Sequence, residues 1–359
     1  MRGEQMRHLM KEDMNLDFES EHHPLSLAEK EIYDRSQQEE IPTIDDFSGT
    51  YPDTELARDH EWLKASAENR HSKPSRRSEM VEFLVSHLTE TADWLGPEAM
   101  TSRTTEFDNR INHTDMVIEW EIDGEKVYLA VDATAAESPE VIAKKLSSIR
   151  TGMDKGHLGR IKYYESPHDG QKGELKEVPR AILAFDREGI SKLSHDVVGK
   201  KPRELSKNPE QLLILEQIKK QMVDQMSYAV SALMWKLKEK KALFGPEQAV
   251  ELKDVARKAL NMEATHKSIE SVLEVIDSKD KFLSRTESDP ELNRYLENIY
   301  RLHDVYHLVE NLLNEKSGSL GKDITQQATE LSTNNIVMTA TERQIRNFHI
   351  PATLRSLAT

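Results

Sequence analysis

One dipeptide constrains this chain more than any other. Asp123-Gly124 lies between two strand-like runs, Thr114–Glu121 and Lys126–Thr134. An Asp-Gly pair between alternating apolar runs favours a two-residue hairpin turn. With these residues as the loop, Ile122 faces Glu125 and every other pair follows. One face then carries Met116 opposite Val131, Ile118 opposite Leu129 and Trp120 opposite Val127. That face is apolar and is the expected core face. The other carries Glu121 opposite Lys126, Glu119 opposite Tyr128, Val117 opposite Ala130 and Asp115 opposite Asp132.

Helices are expected on both sides. Ser75–Leu95 carries Val81, Leu84, Val85, Leu88, Ala92 and Leu95 at helical spacing, and Gly96-Pro97 stops it. Ser138–Met153 starts with a cap residue and a proline and has Ile142, Leu146, Ile149 and Met153 as its stripe. Ile161–Tyr164 and Ala181–Phe185 read as strands, and Asp186 caps a short helix over Gly189–Val197. Beyond Pro202 the pattern is helical: Pro209–Phe244, Pro246–Met262, Thr265–Leu283, Pro290–Glu315 and Ile324–Phe348. The loops between them are short, which suggests an antiparallel bundle. The expected class is therefore α+β, a small α/β domain with a mixed sheet followed by an all-α region. The expected division is an acidic, mostly disordered arm over 1–74, the α/β domain over 75–200 and the helical region over 201–359.

Charge supports this division. The formal net charge is −15. Residues 1–70 hold 18 acidic against 8 basic side chains, whereas residues 201–359 hold 23 of each. Acidity on this scale argues against non-specific duplex binding, though not against a local basic groove. The absence of cysteine excludes disulfides, a thiol nucleophile and Cys-ligated metal centres. No apolar run approaches ~20 residues, so no membrane span is expected. The first residues lack an apolar core, so a cytoplasmic location is expected. Neither GxxxxGK[ST] nor GxGxxG occurs, so no nucleotide cofactor is expected. A Gly-x-Ser-x-Gly elbow is also missing.

Asp115 and Asp132 carry the clearest chemistry. Directly opposed side chains have Cβ atoms ~4.5–5.5 Å apart, and like charges there repel. A divalent cation between them, a shared proton, or a solvated face would each relieve the repulsion. Only oxygen ligands lie nearby, so the metal would be Mg²⁺ or Mn²⁺. The order helix, carboxylate-bearing hairpin, helix, strand, helix over about 75–198 resembles the core of the PD-(D/E)xK nuclease superfamily, a restriction-endonuclease-like fold. Thr114-Asp115 takes the place of that family's first acid, and Val131-Asp132-Ala133-Thr134 that of its acid-x-lysine. The resemblance implies metal-dependent phosphodiester hydrolysis on nucleic acid, with Asp115 and Asp132 holding the metal and Glu82 as a supporting acid. Thr134 stands where the family has lysine. Lys145, beside the apolar stripe of the next helix, would replace it. Thr134, His113, Glu106 and Asp108 are further candidates near the site, and a turn-ordering role suits Asp108 and Asn112 equally.

The alternative is a non-enzymatic scaffold with a catalytically dead nuclease-like domain. Its helical region would bind a protein partner or a second copy. The first reading needs Asp115 and Asp132 to converge with a basic side chain, and the second needs an open, solvated face. Weaker signals remain. His303 and His307 have metal-binding spacing, but Leu302, Val305, Leu308 and Val309 explain that helix as a packing element. Met222, Met226, Met234 and Trp235 read as a helix interface. His22-His23 is a weaker metal pair still, the run Lys73-Pro74-Ser75-Arg76-Arg77 reads as a soluble linker or a contact to a nucleic-acid backbone, and the lysines 236, 238, 240 and 241 suit the dipole at their helix end or a phosphate.

Overall fold

A computed structural model describes residues 24–68, 75–135, 138–239 and 289–335, with 337, 338, 340 and 341. The helices expected over 246–262 and 265–283 lie outside the described residues, as do His22, His23, Lys73, Pro74, Lys240 and Lys241. The element order is α1 (Leu27–Ser36), a 3-10 turn (Ile44–Phe47), α2 (Asp53–Glu68), α3 (Arg76–Ala92), β1 (Ala99–Arg103), α4 (Glu106–Asn112), β2 (Met116–Ile122) and β3 (Glu125–Thr134). Then come α5 (Pro139–Met153), β4 (Gly159–Glu165), β5 (Lys172–Val178), β6 (Arg180–Ala184), α6 (Arg187–Gly199) and α7 (Pro202–Leu205). The long helices α8 (Glu210–Glu239) and α9 (Pro290–Leu320) and the shorter α10 (Lys322–Asn334) complete the α+β fold. Among the described residues no helix is long and apolar enough to cross a membrane.

The hairpin forms around Asp123 and Gly124, both at positive φ (52° and 83°). Its ladder runs from Ile122 opposite Glu125 to Met116 opposite Val131, in the expected register throughout. It lies within a four-stranded sheet of order β1-β2-β3-β6, in which only β3 and β6 are parallel. The expected core face is buried: Met116, Ile118, Trp120, Leu129 and Val131 join one large cluster with α3, α5 and α6. Side-chain caps start these helices, with Ser75, Ser138 and Asp186 accepting from backbone amides of the first turn.

The opposite face is not solvated. The β4–β5 hairpin covers it, and Val117 and Ala130 pack against Ile161, Tyr164 and Val178. Glu119 is consequently buried. Its carboxylate takes a hydrogen bond from the Tyr164 hydroxyl, a second from Ser166 at 3.0 Å, and an ion pair with Lys126 at 2.9 Å.

Two boundaries differ from the sequence-based division. First, residues 24–68 of the expected arm are folded onto the α/β domain, where the sequence alone suggests only a short helix over Leu25–Glu39 and a docking segment over Ile41–Tyr51. Helix α1 packs on α3 and α6, and the ion pair Arg77–Glu29 (3.1 Å) is buried there. Ile44, Phe47 and Leu56 form a second small core with Phe107 and Tyr163. These apolar residues are too sparse to show periodicity, and their partners lie far along the chain. Second, the described helices after residue 200 are not a separate body. Leu212, Leu215, Ile218, Met222 and Met226 of α8 join the same core as the sheet.

Helix α8 also finishes the sheet. β6 is an edge strand, and its alternate residues present backbone groups outward. Gln217 accepts from the Ala184 amide and donates to the Ala184 carbonyl, both at 3.2 Å. Gln221 does the same for Ile182, both at 2.8 Å. Gln225 donates to the Arg180 carbonyl at 2.7 Å. The match is geometric. Four helical residues rise ~6.0 Å and two strand residues ~6.6 Å, so an i, i+4, i+8 row tracks every second strand residue.

Candidate functional site

Four elements bring carboxylates and cations together at one end of β2 and β3. Asp115 immediately precedes β2. Its amide donates to the Val131 carbonyl at 2.8 Å, and its carbonyl accepts from the Thr104 amide at 3.1 Å. Pairing of β2 with β3 stops at Met116, one pair short of Asp115. The direct opposition of Asp115 and Asp132 expected from the register is therefore not part of the ladder. Instead the Asp115 side chain continues the pairing: Oδ2 accepts from the Ala133 amide at 2.7 Å. Oδ1 accepts from Asn109 Nδ2 at 2.5 Å.

Asp132 lies on β3, opposite Ile182 of β6. Lys145 reaches it from α5, with Nζ 2.7 Å from Oδ1. Helical phase placed Lys145 beside the apolar stripe, and that stripe (Ile142, Leu146, Ile149) is buried against the sheet. Glu82 comes from α3 and is buried. It is held by Arg103 of β1, whose other terminal nitrogen takes Glu39 at 3.1 Å. The structure thus brings together Glu82, Asp115, Asp132 and Lys145.

The electrostatics of the group are unfavourable for full ionisation. Burial, opposed by Arg103 and reinforced by Glu79 and Asp132, pushes the Glu82 carboxyl up to about 7. Burial, with Glu82 and Asp132 close by, holds Asp115 well above the ordinary carboxylate range. A folded-state value raised above the unfolded one stabilises the fold below the unfolded value and is lost as pH rises through the folded one. Glu82→Gln, which mimics the protonated acid, should therefore raise stability at pH 8 by on the order of 2 kcal/mol. The gain should vanish by about pH 4.5. Thermal melts of both proteins across that range test this, and a gain that is flat with pH would refute the assignment.

The other candidates have different partners. Asp108 is buried and structural: it accepts from the amides of Lys162 (2.7 Å) and Tyr163 (2.9 Å) and from Asn112 Nδ2 (2.6 Å). Glu106 is exposed and pairs with Arg110 one turn on. His113 ends α4 at positive φ (53°). It offers its carbonyl to Arg180 Nη2 at 2.8 Å. Thr134 is buried on β3 opposite Ala184.

Three residues near the site were not singled out in the sequence. Asn109 orients Asp115. Arg103 holds Glu82. Arg180, at the start of β6, lies close enough to Asp132 and Asp115 to feel their charge. Only Asn109 carried a local signal, since it falls six residues before Asp115 in a turn-rich stretch. The two arginines reach the site through strand pairing.

All the donors are carboxylate oxygens, the type a hard divalent cation takes, and both oxygens of Asp115 and Oδ1 of Asp132 already accept hydrogen bonds. Among the described residues no three such side chains form a ready-made cage. Asp115 and Asp132, with Glu82 behind them, are the residues that would hold it. Compared with family models, curated proteins and solved structures, the chain matches none.

Proposed function

We propose that the chain is a metal-dependent phosphodiester hydrolase acting on nucleic acid, of the PD-(D/E)xK kind. The observation that carries this reading is the 2.7 Å contact of Lys145 with Asp132, in a group that also holds Asp115 and Glu82. A lysine displaced from the acid-x-lysine position by Thr134 reaches the same acid from the next helix. The element order supports the reading as well. The family's acids sit on the second and third strands, and β1 supplies the strand that must precede the hairpin.

When bound, the cation would polarise a phosphoryl oxygen and lower the pKa of a coordinated water. Lys145 then offers its ammonium to the charge that develops on the phosphate. Asn109 and the Ala133 amide hold the Asp115 carboxylate in one orientation. Arg180 offsets negative charge between substrate encounters.

One observation favours a second reading, a non-hydrolytic scaffold. The three carboxylates already face three cations, Arg103, Lys145 and Arg180, so the group can persist without a metal. A Mn²⁺ titration of the full chain by calorimetry, with and without oligonucleotide, separates the two. Hydrolysis of plasmid, single-stranded DNA and RNA is followed in parallel. The expected result is saturable binding that Asp132→Asn abolishes, with hydrolysis falling by about 10²-fold or more in Asp132→Asn and Lys145→Met. Absence of both binding and hydrolysis on every substrate selects the scaffold.

A further inference from the structure

We infer that His303 and His307 form a second metal site, for a borderline divalent transition ion such as Ni²⁺ or Cu²⁺. The two residues lie one turn apart on α9, whose inner side is fixed in the core by Leu302, Val305, Tyr306 and Val309. Both imidazoles are half-buried. Their Nε2 atoms converge to 2.8 Å, with ring centroids 4.1 Å apart. The Tyr306 ring stands edge-on to His307 at 5.5 Å. The convergence is the part that spacing alone does not supply, because two histidines one turn apart can equally point away from each other.

The donor chemistry indicates the kind of ion. Two neutral imidazoles suit a borderline transition ion, with water completing the square-planar or tetragonal shell that Cu²⁺ and Ni²⁺ favour. Imidazole also discriminates against Mg²⁺, so the site is chemically distinct from the carboxylate group. Without metal, one ring donates its Nε2 proton to the other. To bind, that ring carries its proton on Nδ1 instead and offers both Nε2 lone pairs, while water fills the remaining positions. Asp304 interacts electrostatically with His307, and with Glu125 and Arg301 as well, so the surroundings hold charges of both signs. The inference does not depend on phosphodiester hydrolysis.

The test is a Ni²⁺ titration of the full, tag-free chain by calorimetry at pH 7.5, in an Asp132→Asn background so that the carboxylate group does not contribute. His303→Gln and His307→Gln preserve polarity and helix, and circular dichroism confirms folding. Each is expected to weaken Ni²⁺ binding by about tenfold or more, since a two-point attachment becomes one-point. Excess Mg²⁺ should not compete. The spectrum of bound Cu²⁺ should report two imidazole nitrogens, reduced in each variant. Ni²⁺ affinity unchanged in either variant, or no Ni²⁺ binding at all, overturns the site.

Discussion

Gln221→Leu is expected to destabilise the protein by about 2–5 kcal/mol. The carboxamide of Gln221 is buried and satisfies both backbone groups of Ile182. Leucine has similar bulk and high helix propensity, so neither a cavity nor a weakened helix accounts for the loss. What remains is an amide and a carbonyl buried without partners, at about 1–3 kcal/mol each. Gln225 provides an internal comparison. It makes only the donor half of its rung, and its own Oε1 has no hydrogen-bond partner. Gln225→Leu should therefore cost about half as much. Urea denaturation of both variants gives the free energies, and hydrogen exchange at the Ile182 amide should accelerate only in the first. Equal costs, or a Gln221→Leu cost below about 1 kcal/mol, would mean that the strand finds other partners.

The second large effect is expected at Lys162. Its ammonium is buried on β4, paired with Asp59 and, at 2.6 Å, with Glu55, both from α2. The rings of Tyr51, Phe107 and Tyr163 surround it at 5.2–5.6 Å from Nζ. Lys162→Met keeps the length of the side chain but leaves Asp59 only Arg58 and the Tyr163 hydroxyl, and a broken buried pair costs up to about 3–5 kcal/mol. Burial alone would raise the Asp59 carboxyl, but hydrogen bonds from Lys162, Tyr163 and Arg58 outweigh it and the value is lowered. A lowered folded value stabilises above the unfolded one and is lost as pH falls through the folded value. The gap between wild type and Lys162→Met should thus be full at pH 7 and close on acidification. Adding Asp59→Asn should restore much of the lost stability. A gap independent of pH would show that packing, not charge, holds α2 in place.

Legibility in the sequence followed the range of the interaction. The hairpin register was readable because Asp123-Gly124 sets it locally, and each pair down to Met116 and Val131 obeys it. Lys145 was readable because helical phase is also local. Caps at Ser75, Ser138 and Asp186 were readable for the same reason. Strand β1 was not, because Ala99-Met100-Thr101-Ser102-Arg103 has no alternation and exists only through pairing with β2. Strand β5, with its charged Lys172–Val178 run, depends likewise on β4. The place of Arg103 beside Glu82 could not be foreseen without β1. The glutamines of α8 look like an ordinary polar face until the strand they serve is in place. The end of the ladder at Met116 was also hidden, since nothing in the pattern marks Asp115 as spending its side chain on the Ala133 amide.

The glutamine row has a consequence for encounters between molecules. An open strand edge is a template onto which another chain can add, and β6 is rich in aliphatic residues (Ala181, Ile182, Leu183). Because Ile182 and Ala184 already have donor and acceptor engaged by side-chain amides, an incoming strand would have to displace α8 before it could pair. A chain shortened after Gly199 would keep β6 and lose its cover. Such a fragment should self-associate, so the helices after residue 200 act as a built-in guard against strand exchange between neighbours.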